Sequence, residues 1–113
     1  LLVDDNRDAT DSLALLLQMH GHDVLSAYEG RSALDLAARE QPSLILVDIG
    51  LPDIDGFEVA RQLRANPLTA GSVLVALTGY GQPADREKSK HAGFDHHLVK
   101  PAGAQEILSL VGG

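Results

Sequence analysis

The sequence predicts an α/β domain with a doubly wound (βα)5 architecture, in which helices cover both faces of a five-stranded parallel sheet. Five short aliphatic runs alternate along the chain with longer segments in which apolar residues recur at helical spacing. The two most apolar runs, at 44–47 and 73–77, lack polar alternation, which is typical of central strands buried on both faces. We therefore expect these two runs at the centre of the sheet.

The other three strands are predicted at 1–3, 24–27 and 98–99. The segments around the second and fifth strands, 23–27 and 96–100, are more polar, which favours places at the edges of the sheet. These placements fit the strand order 2-1-3-4-5. In sheets of this kind, ligands bind beyond the carboxyl ends of the strands, at the point where the strand order reverses.

Helices are predicted at 7–20, 31–41, 56–66, 84–92 and from 103 onward. Asn6 and Asp55 stand directly before the first and third helices, where a side-chain oxygen can accept from a free amide of the first turn. The fourth helix is mostly charged and polar. Because it has little apolar surface to bury, we expect it to move more easily than the others.

Size and charge exclude several classes of protein. The 113 residues can bury one core, so we expect a single domain over 1–113, with a first strand that is cut short at its N-terminus. Sixteen acidic and nine basic residues give a net charge of −7, which argues against nucleic-acid binding. The chain has no cysteine, no signal-peptide pattern and no apolar run of membrane-spanning length. We expect a cytoplasmic domain without membrane contact.

Polar residues stand at the ends of four predicted strands. Asp4 and Asp5 follow the first strand, Asp48 ends the third, Thr78 ends the fourth and Lys100 ends the fifth. The carboxyl ends of parallel strands lie along one edge of the sheet, so these side chains are expected to converge there.

Three carboxylates in one cleft repel each other, and a hard divalent cation with oxygen ligands relieves that repulsion. Mg²⁺ suits such a site because it binds one or two carboxylates and keeps several waters. An aspartate can also act as a nucleophile and form an aspartyl-phosphate, while lysine and threonine supply donors to the phosphoryl oxygens. The pattern therefore predicts a site of phosphoryl transfer.

Four strings, in order and at strand ends, resemble the receiver domain of two-component response regulators. They are LVDDN at 2–6, VDIGLPDIDG at 47–56, LTG at 77–79 and VKP at 99–101. The resemblance covers nearly the whole chain and implies a flavodoxin-like fold. Two further strings, ALTGYGQP at 76–83 and GFDHHLVKP at 93–101, are most similar to receivers attached to hybrid sensor histidine kinases. The chain is therefore also compatible with the C-terminal receiver of such a kinase.

The resemblance implies that Asp48 accepts a phosphoryl group from a phosphohistidine. It also implies a Mg²⁺ or Mn²⁺ ion held by Asp5 directly, by Asp4 mainly through a water, by Asp48 and by the backbone carbonyl of Gly50. Thr78, Lys100 and the amide of Gly79 would bind the phosphoryl oxygens.

Two more roles follow from the resemblance. The bond before Pro101 is expected to be cis, as is usual in the family. Thr78 is expected to move toward the phosphoryl group together with an aromatic residue on the fifth strand. His97 stands at that position, where the family more commonly has tyrosine or phenylalanine.

The expected partners are a histidine kinase or a phosphotransfer domain, and an output partner that reads the surface of the fourth helix, fifth strand and fifth helix. Assembly into a homodimer is a further alternative. We expect a signalling domain with self-catalysed phosphorylation and dephosphorylation rather than an enzyme acting on outside substrates.

Two other functions remain open from the residues. One is a flavodoxin-like phosphatase or hydrolase that uses the same acidic Mg²⁺ site, and the other is an interaction module that is not phosphorylated. The string Asp53-Ile54-Asp55 resembles the nucleophile motif of haloacid-dehalogenase-like phosphatases, but Pro52 separates it from the preceding strand. We interpret Asp55 as a helix cap.

Overall fold

The fold is a five-stranded parallel sheet in the order β2-β1-β3-β4-β5, as predicted. A computed structural model describes residues 1–79, 86–100 and 102–111. The strands are β1 (Leu2–Val3), β2 (Ser26–Ala27), β3 (Leu44–Asp48), β4 (Val73–Thr78) and β5 (His96–Val99). The helices are α1 (Arg7–Met19), α2 (Gly30–Glu40), α3 (Gly56–Ala65), α4 (Arg86–Ala92) and α5 (Ala104–Val111).

The sheet separates two apolar clusters, one on each face. Alternate residues of β3 point to opposite faces, so Ile45 and Val47 join one cluster while Leu46 joins the other. The first cluster includes residues of α2 and α3, and the second includes Leu17 of α1 and Ile107 of α5. The predicted central strands β3 and β4 are almost completely buried, which confirms that they are covered on both faces.

The first turns of α1 and α3 follow local capping rules, whereas that of α2 does not. The side chains of Asn6 and Asp55 accept hydrogen bonds from the amides of Ala9 and Glu58, which confirms both predicted caps. Helix α2 begins one residue before the predicted start, and the residue before it makes no side-chain cap. Its first amides are instead satisfied by Asp53, a residue of the loop between β3 and α3.

Arg64, near the end of α3, forms hydrogen bonds to several chain segments next to the N-terminal ends of β4 and β5. Its guanidinium donates five hydrogen bonds, to the carbonyls of Ala70, Ser72 and Gly93 and to the carboxylate of Asp95. Asp95 in turn accepts from the amide of Leu74 at 2.9 Å. Because every N–H of the guanidinium is used, Arg64 is a structural residue.

Helix α4 exposes the charged side chains of Glu87, Lys88 and Lys90, while Ser89 and Ala92 are buried. The predicted start of this helix at 84 and 85 and the predicted cis bond at Pro101 lie outside the described residues. Among the helices of the described ranges, none is long and apolar enough to cross a membrane.

Candidate functional site

The polar residues predicted to converge do lie at one edge of the sheet. Asp4 directly follows β1, Asp48 is the last residue of β3 and Lys100 directly follows β5. Thr78 is the last residue of β4 and is paired in register with Val99, while Asp48 is paired with Leu77. The parallel register therefore brings the ends of β1, β3, β4 and β5 together.

Asp4, Asp5 and Asp48 form a cluster of carboxylates. Each offers one oxygen, and these oxygens all lie within 4.8 Å of one another. Asp4 is 8% exposed and Asp48 is 7% exposed, whereas Asp5 faces solvent. Two of the carboxylates are therefore shielded from water, and the third lies at the mouth of the cleft.

Lys100 lies between the two buried carboxylates. Its Nζ is 2.8 Å from Oδ2 of Asp4 and 2.9 Å from Oδ2 of Asp48. Burial raises the pKa of Asp4, but hydrogen bonds from Lys100 and from the amide of Asn6 outweigh burial, so its pKa lies below the ordinary value. Burial likewise lowers the pKa of Lys100, but the two carboxylates raise it overall and keep the ammonium charged.

Backbone amides bind the other oxygens of the same two carboxylates. The amide of Asn6 donates to Oδ1 of Asp4 at 3.0 Å, and the amide of Gly50 donates to Oδ1 of Asp48 at 2.9 Å. The structure thus brings Gly50 to the site through its amide, while its carbonyl as a metal ligand stays a prediction. The loop amides also hold each carboxylate in a single orientation.

Thr10 supports this arrangement and was not predicted from the sequence. Its hydroxyl is buried, donates to the carbonyl of Asn6 at 2.7 Å and lies 3.4 Å from the carbonyl of Asp4. It therefore fixes the turn that carries Asp4 and Asp5. The sequence signal was weak, because a threonine in the first turn of a helix has many ordinary roles.

Thr78 is completely buried, and its hydroxyl is turned toward β5. Oγ1 lies 3.2 Å from Nε2 of His97 and 3.4 Å from the carbonyl oxygen of Leu98. The backbone of Thr78 is also tied to β5, because its carbonyl accepts from the amide of Lys100 at 2.7 Å. Gly79 directly follows β4 and is half-buried. The structure thus places Thr78, Gly79 and Lys100 on neighbouring strand ends.

The donor set fits a hard cation. Three carboxylates provide oxygen ligands close together, and the ammonium of Lys100 lies between two of them. Oxygen ligands without nitrogen or sulfur are what Mg²⁺ prefers, and the exposed position of Asp5 leaves room for waters. The residues present are therefore suited to Mg²⁺.

A cavity of about 1080 Å³ lies at the opposite end of β4 and β5, lined in part by Arg64, Ser72 and Asp95. Arg64, Ser72 and Asp95 are engaged with one another in the hydrogen-bond network described above. The convergence of carboxylates lies at the other end of the sheet, and we therefore place the functional site there.

The doubly wound parallel sheet in the order β2-β1-β3-β4-β5 defines the class of flavodoxin-like α/β proteins. Within that class, the sequence matches the family described as the response regulator receiver domain over residues 1–112. The chain belongs to this receiver domain family of two-component systems. The resemblance stated from the four strings is thereby confirmed.

Individual relatives agree with this assignment. The DNA-binding dual master transcriptional regulator RpaA of Synechocystis is 37% identical over 111 residues, which are 98% of this chain and 46% of that protein. Protein PilH of Pseudomonas aeruginosa is 32% identical over 98% of this chain and 92% of its own length. The chain thus spans less than half of one relative and nearly all of the other.

A solved structure resembles the chain closely. The receiver domain of the sensor histidine kinase PA1611 of Pseudomonas aeruginosa has a TM-score of 0.86 and is 30% identical, over 97% of this chain and 90% of that one. That structure has a magnesium ion in its active site cleft. Receiver domains in general bind Mg²⁺ in an acidic site and interact with histidine kinases or phosphotransfer proteins.

Proposed function

We propose that this chain is a phosphorylation switch in which Asp48 accepts a phosphoryl group from a phosphohistidine of a histidine kinase or phosphotransfer domain, in a Mg²⁺-dependent reaction. The observation that carries the proposal is the position of the Asp48 carboxylate, which is buried between Lys100 and two further aspartates. A role as signalling domain, with self-catalysed phosphorylation and dephosphorylation, follows from the same site.

Asp48 is placed to act as the nucleophile. The amide of Gly50 binds Oδ1 and Lys100 binds Oδ2, so the carboxylate is fixed before the donor arrives. A carboxylate oxygen attacks phosphorus, the bond between phosphorus and the donor's imidazole nitrogen breaks, and the imidazole leaves with the bonding electron pair and takes a proton. The product is an aspartyl-phosphate.

Charge is the main obstacle to this reaction, because an anionic donor approaches an acidic cleft. The ammonium of Lys100 already contacts the carboxylate of Asp48 and can contact a phosphoryl oxygen once Asp48 carries the phosphoryl group. A bound Mg²⁺ supplies the remaining positive charge that an anionic phosphoryl group needs. Asp4, Asp5 and Asp48 are the residues that would hold this ion, together with the carbonyl of Gly50.

Phosphorylation changes the charge at the ends of β3, β4 and β5. The amide of Lys100 donates to the carbonyl of Thr78, so the end of β4 is linked to β5, whose last residue Val99 is 49% exposed. We expect the change to reach the surface formed by α4, β5 and α5 through β5. We propose that phosphorylation shifts the balance between two conformations of this surface and that a partner binds one of them in preference. The chain's residues also agree with attachment to a hybrid histidine kinase and with a cytoplasmic location, both of which stay proposals.

The direct test is labelling with a small phosphodonor such as acetyl phosphate, followed by intact mass measurement. The wild type is expected to gain the mass of one phosphoryl group when Mg²⁺ is present, and much less when it is chelated. Asp48→Asn is expected to gain none. Asp35→Asn, which changes an exposed carboxylate on α2, is the matched control and should label like the wild type. Labelling of Asp48→Asn at the wild-type level would refute the proposal.

A further inference from the structure

Among the residues that the structure describes, the hydroxyl of Thr78 has two hydrogen-bonding neighbours, and both belong to β5. The O–H···O distance of 3.4 Å to the carbonyl of Leu98 is long for such a bond, while the 3.2 Å separation from Nε2 of His97 lies at the edge of the usual range. His97 is therefore the main partner of this hydroxyl. Either group can donate, since a hydroxyl and an imidazole nitrogen can each act as donor or acceptor.

The burial of Thr78 gives this contact weight. The residue is 0% exposed, so water cannot replace a lost partner of the hydroxyl. In the described residues, the oxygens of Asp48 are bound by Gly50 and Lys100 and not by Thr78. The hydroxyl is thus engaged on the β5 side of its strand, away from the group that it would have to serve after phosphorylation.

We propose that His97 is a positioning residue that holds the hydroxyl of Thr78 on the β5 side and so makes the change to the phosphorylated arrangement less favourable. The inference rests on the proposed phosphorylation of Asp48. Thr78 lies on β4 between β3, which carries Asp48, and β5, which carries His97. To reach a phosphoryl oxygen on Asp48, the hydroxyl must turn from the β5 side toward the β3 side, which takes it away from Nε2 of His97, so the two contacts compete. A carbon-only ring at position 97 would offer no such competing bond.

The size of the effect follows from the competition. A net hydrogen bond in a protein favours one state over another by roughly 1 kcal/mol, which corresponds to about a fivefold change in an equilibrium constant. Because apparent affinity scales with the fraction of competent molecules, removal of the His97 bond should strengthen binding of a phosphoryl mimic by about this factor. Such a shift is large enough to measure.

The experiment is a titration of the chain with beryllofluoride and Mg²⁺, followed by NMR of the Thr78 amide. His97→Phe keeps a ring but removes the hydrogen-bonding nitrogen, and it is expected to bind beryllofluoride about fivefold more tightly than the wild type. His97→Gln keeps a polar group near the position of Nε2 and should return the affinity toward the wild-type value. Unchanged or weaker binding by His97→Phe would overturn the proposal.

A second pair of variants separates this role from a merely structural one. In a Thr78→Val background there is no hydroxyl to hold, so adding His97→Phe should leave the affinity unchanged. A fivefold gain that persists in that background would overturn the proposal.

A measurement on the wild type covers the case in which a variant fails to fold. The ¹⁵N signal of His97 Nε2 should shift when beryllofluoride is added, and a constant signal would count against the proposal. If the wild type binds no beryllofluoride at all, the phosphorylation of Asp48 is refuted instead, so the two failures are distinguishable.

Discussion

Gly56 carries only a hydrogen at a position where the chain has no room for a side chain. A Cβ there would lie 2.4 Å from the Cα of Ile49 and 2.8 Å from the carbonyl oxygen of Asp48. The amide of Gly56 also donates to the carbonyl of Ile49 at 3.2 Å. The loop that follows Asp48 is therefore closed by direct contact of backbone with backbone, and α3 begins immediately against the site.

We expect Gly56→Ala to destabilise the protein by about 1–3 kcal/mol, because the added methyl group meets backbone that cannot rotate away. It should also reduce labelling by a small phosphodonor, since the loop that positions Asp48 must shift. Chemical denaturation measures the first effect and intact mass the second. Gly71→Ala is the matched control, because nothing lies within 4 Å of a Cβ at that position. Equal stability of the two variants would contradict the prediction.

The remaining site residues differ in how far the sequence revealed them. Asp48 could be predicted because an apolar strand that ends in an acid is unusual, and its buried charge needs a partner. The contact between Thr78 and His97 could not be predicted, because it depends on the register of β4 against β5 and on two side-chain rotamers. The same holds for Thr10, whose role depends on the path of the turn before α1.

At the scale of elements, helix α2 shows how a loop from elsewhere can begin a helix. Oδ1 of Asp53 accepts from the amide of Gly30 at 2.8 Å, and Oδ2 accepts from the amide of Arg31 at 3.0 Å. These two amides lower the pKa of Asp53 below its ordinary value of 3.8. The loop between β3 and α3 is thereby tied to α2 as well as to the site.

The pH dependence of this cap has a definite sign. Since the folded-state pKa of Asp53 is depressed, its contribution is complete well above pH 3.8 and is lost as the pH falls through the lower folded value. At pH 7, Asp53→Asn should lower the free energy of unfolding by about 0.5–1 kcal/mol, a modest value because the carboxylate is exposed. The difference from the wild type should shrink as the pH falls through the folded-state pKa of Asp53, because the protonated carboxyl group and the amide of asparagine are both neutral.

Urea denaturation of both proteins across this pH range is the measurement. Asp35→Asn is the control, because Asp35 is an exposed carboxylate in the middle of the same helix. A difference between Asp53→Asn and the wild type that stayed constant with pH would show that the charge of Asp53 does not stabilise α2.

At the scale of the whole molecule, the net charge of −7 is unevenly placed. Three carboxylates share one cleft with a single lysine, and two of them are buried. This concentration of like charge opposes folding unless a cation compensates it. The proposed Mg²⁺ site therefore links function to the stability of the entire domain.

We expect Mg²⁺ to raise the free energy of unfolding by about 2.7 kcal/mol at one hundred times its Kd, because an ion that binds only the folded chain stabilises it by mass action. Thermal unfolding across a Mg²⁺ series measures this effect, with potassium chloride at matched ionic strength as the control for screening. Asp5→Asn should flatten the dependence, since it removes one ligand of the ion. Equal stabilisation by both salts would argue against a specific site.

The sequence by itself determined the architecture and the place of the site. Alternation of aliphatic runs with helical periodicity is a local property, as are the caps at Asn6 and Asp55, and the strand ends of a parallel sheet must share an edge. Element bounds were off by a residue or two, because helix ends depend on packing as well as propensity.

Only the tertiary structure decided which groups actually touch. Lys100 bridges Asp4 and Asp48 across 96 and 52 positions of the chain, Asp53 caps a helix that precedes it, and His97 holds Thr78 from a neighbouring strand. These contacts join residues that are distant in sequence, and they depend on strand register and side-chain rotamer. No local pattern encodes those quantities, because they are set by the packing of the whole chain around its core.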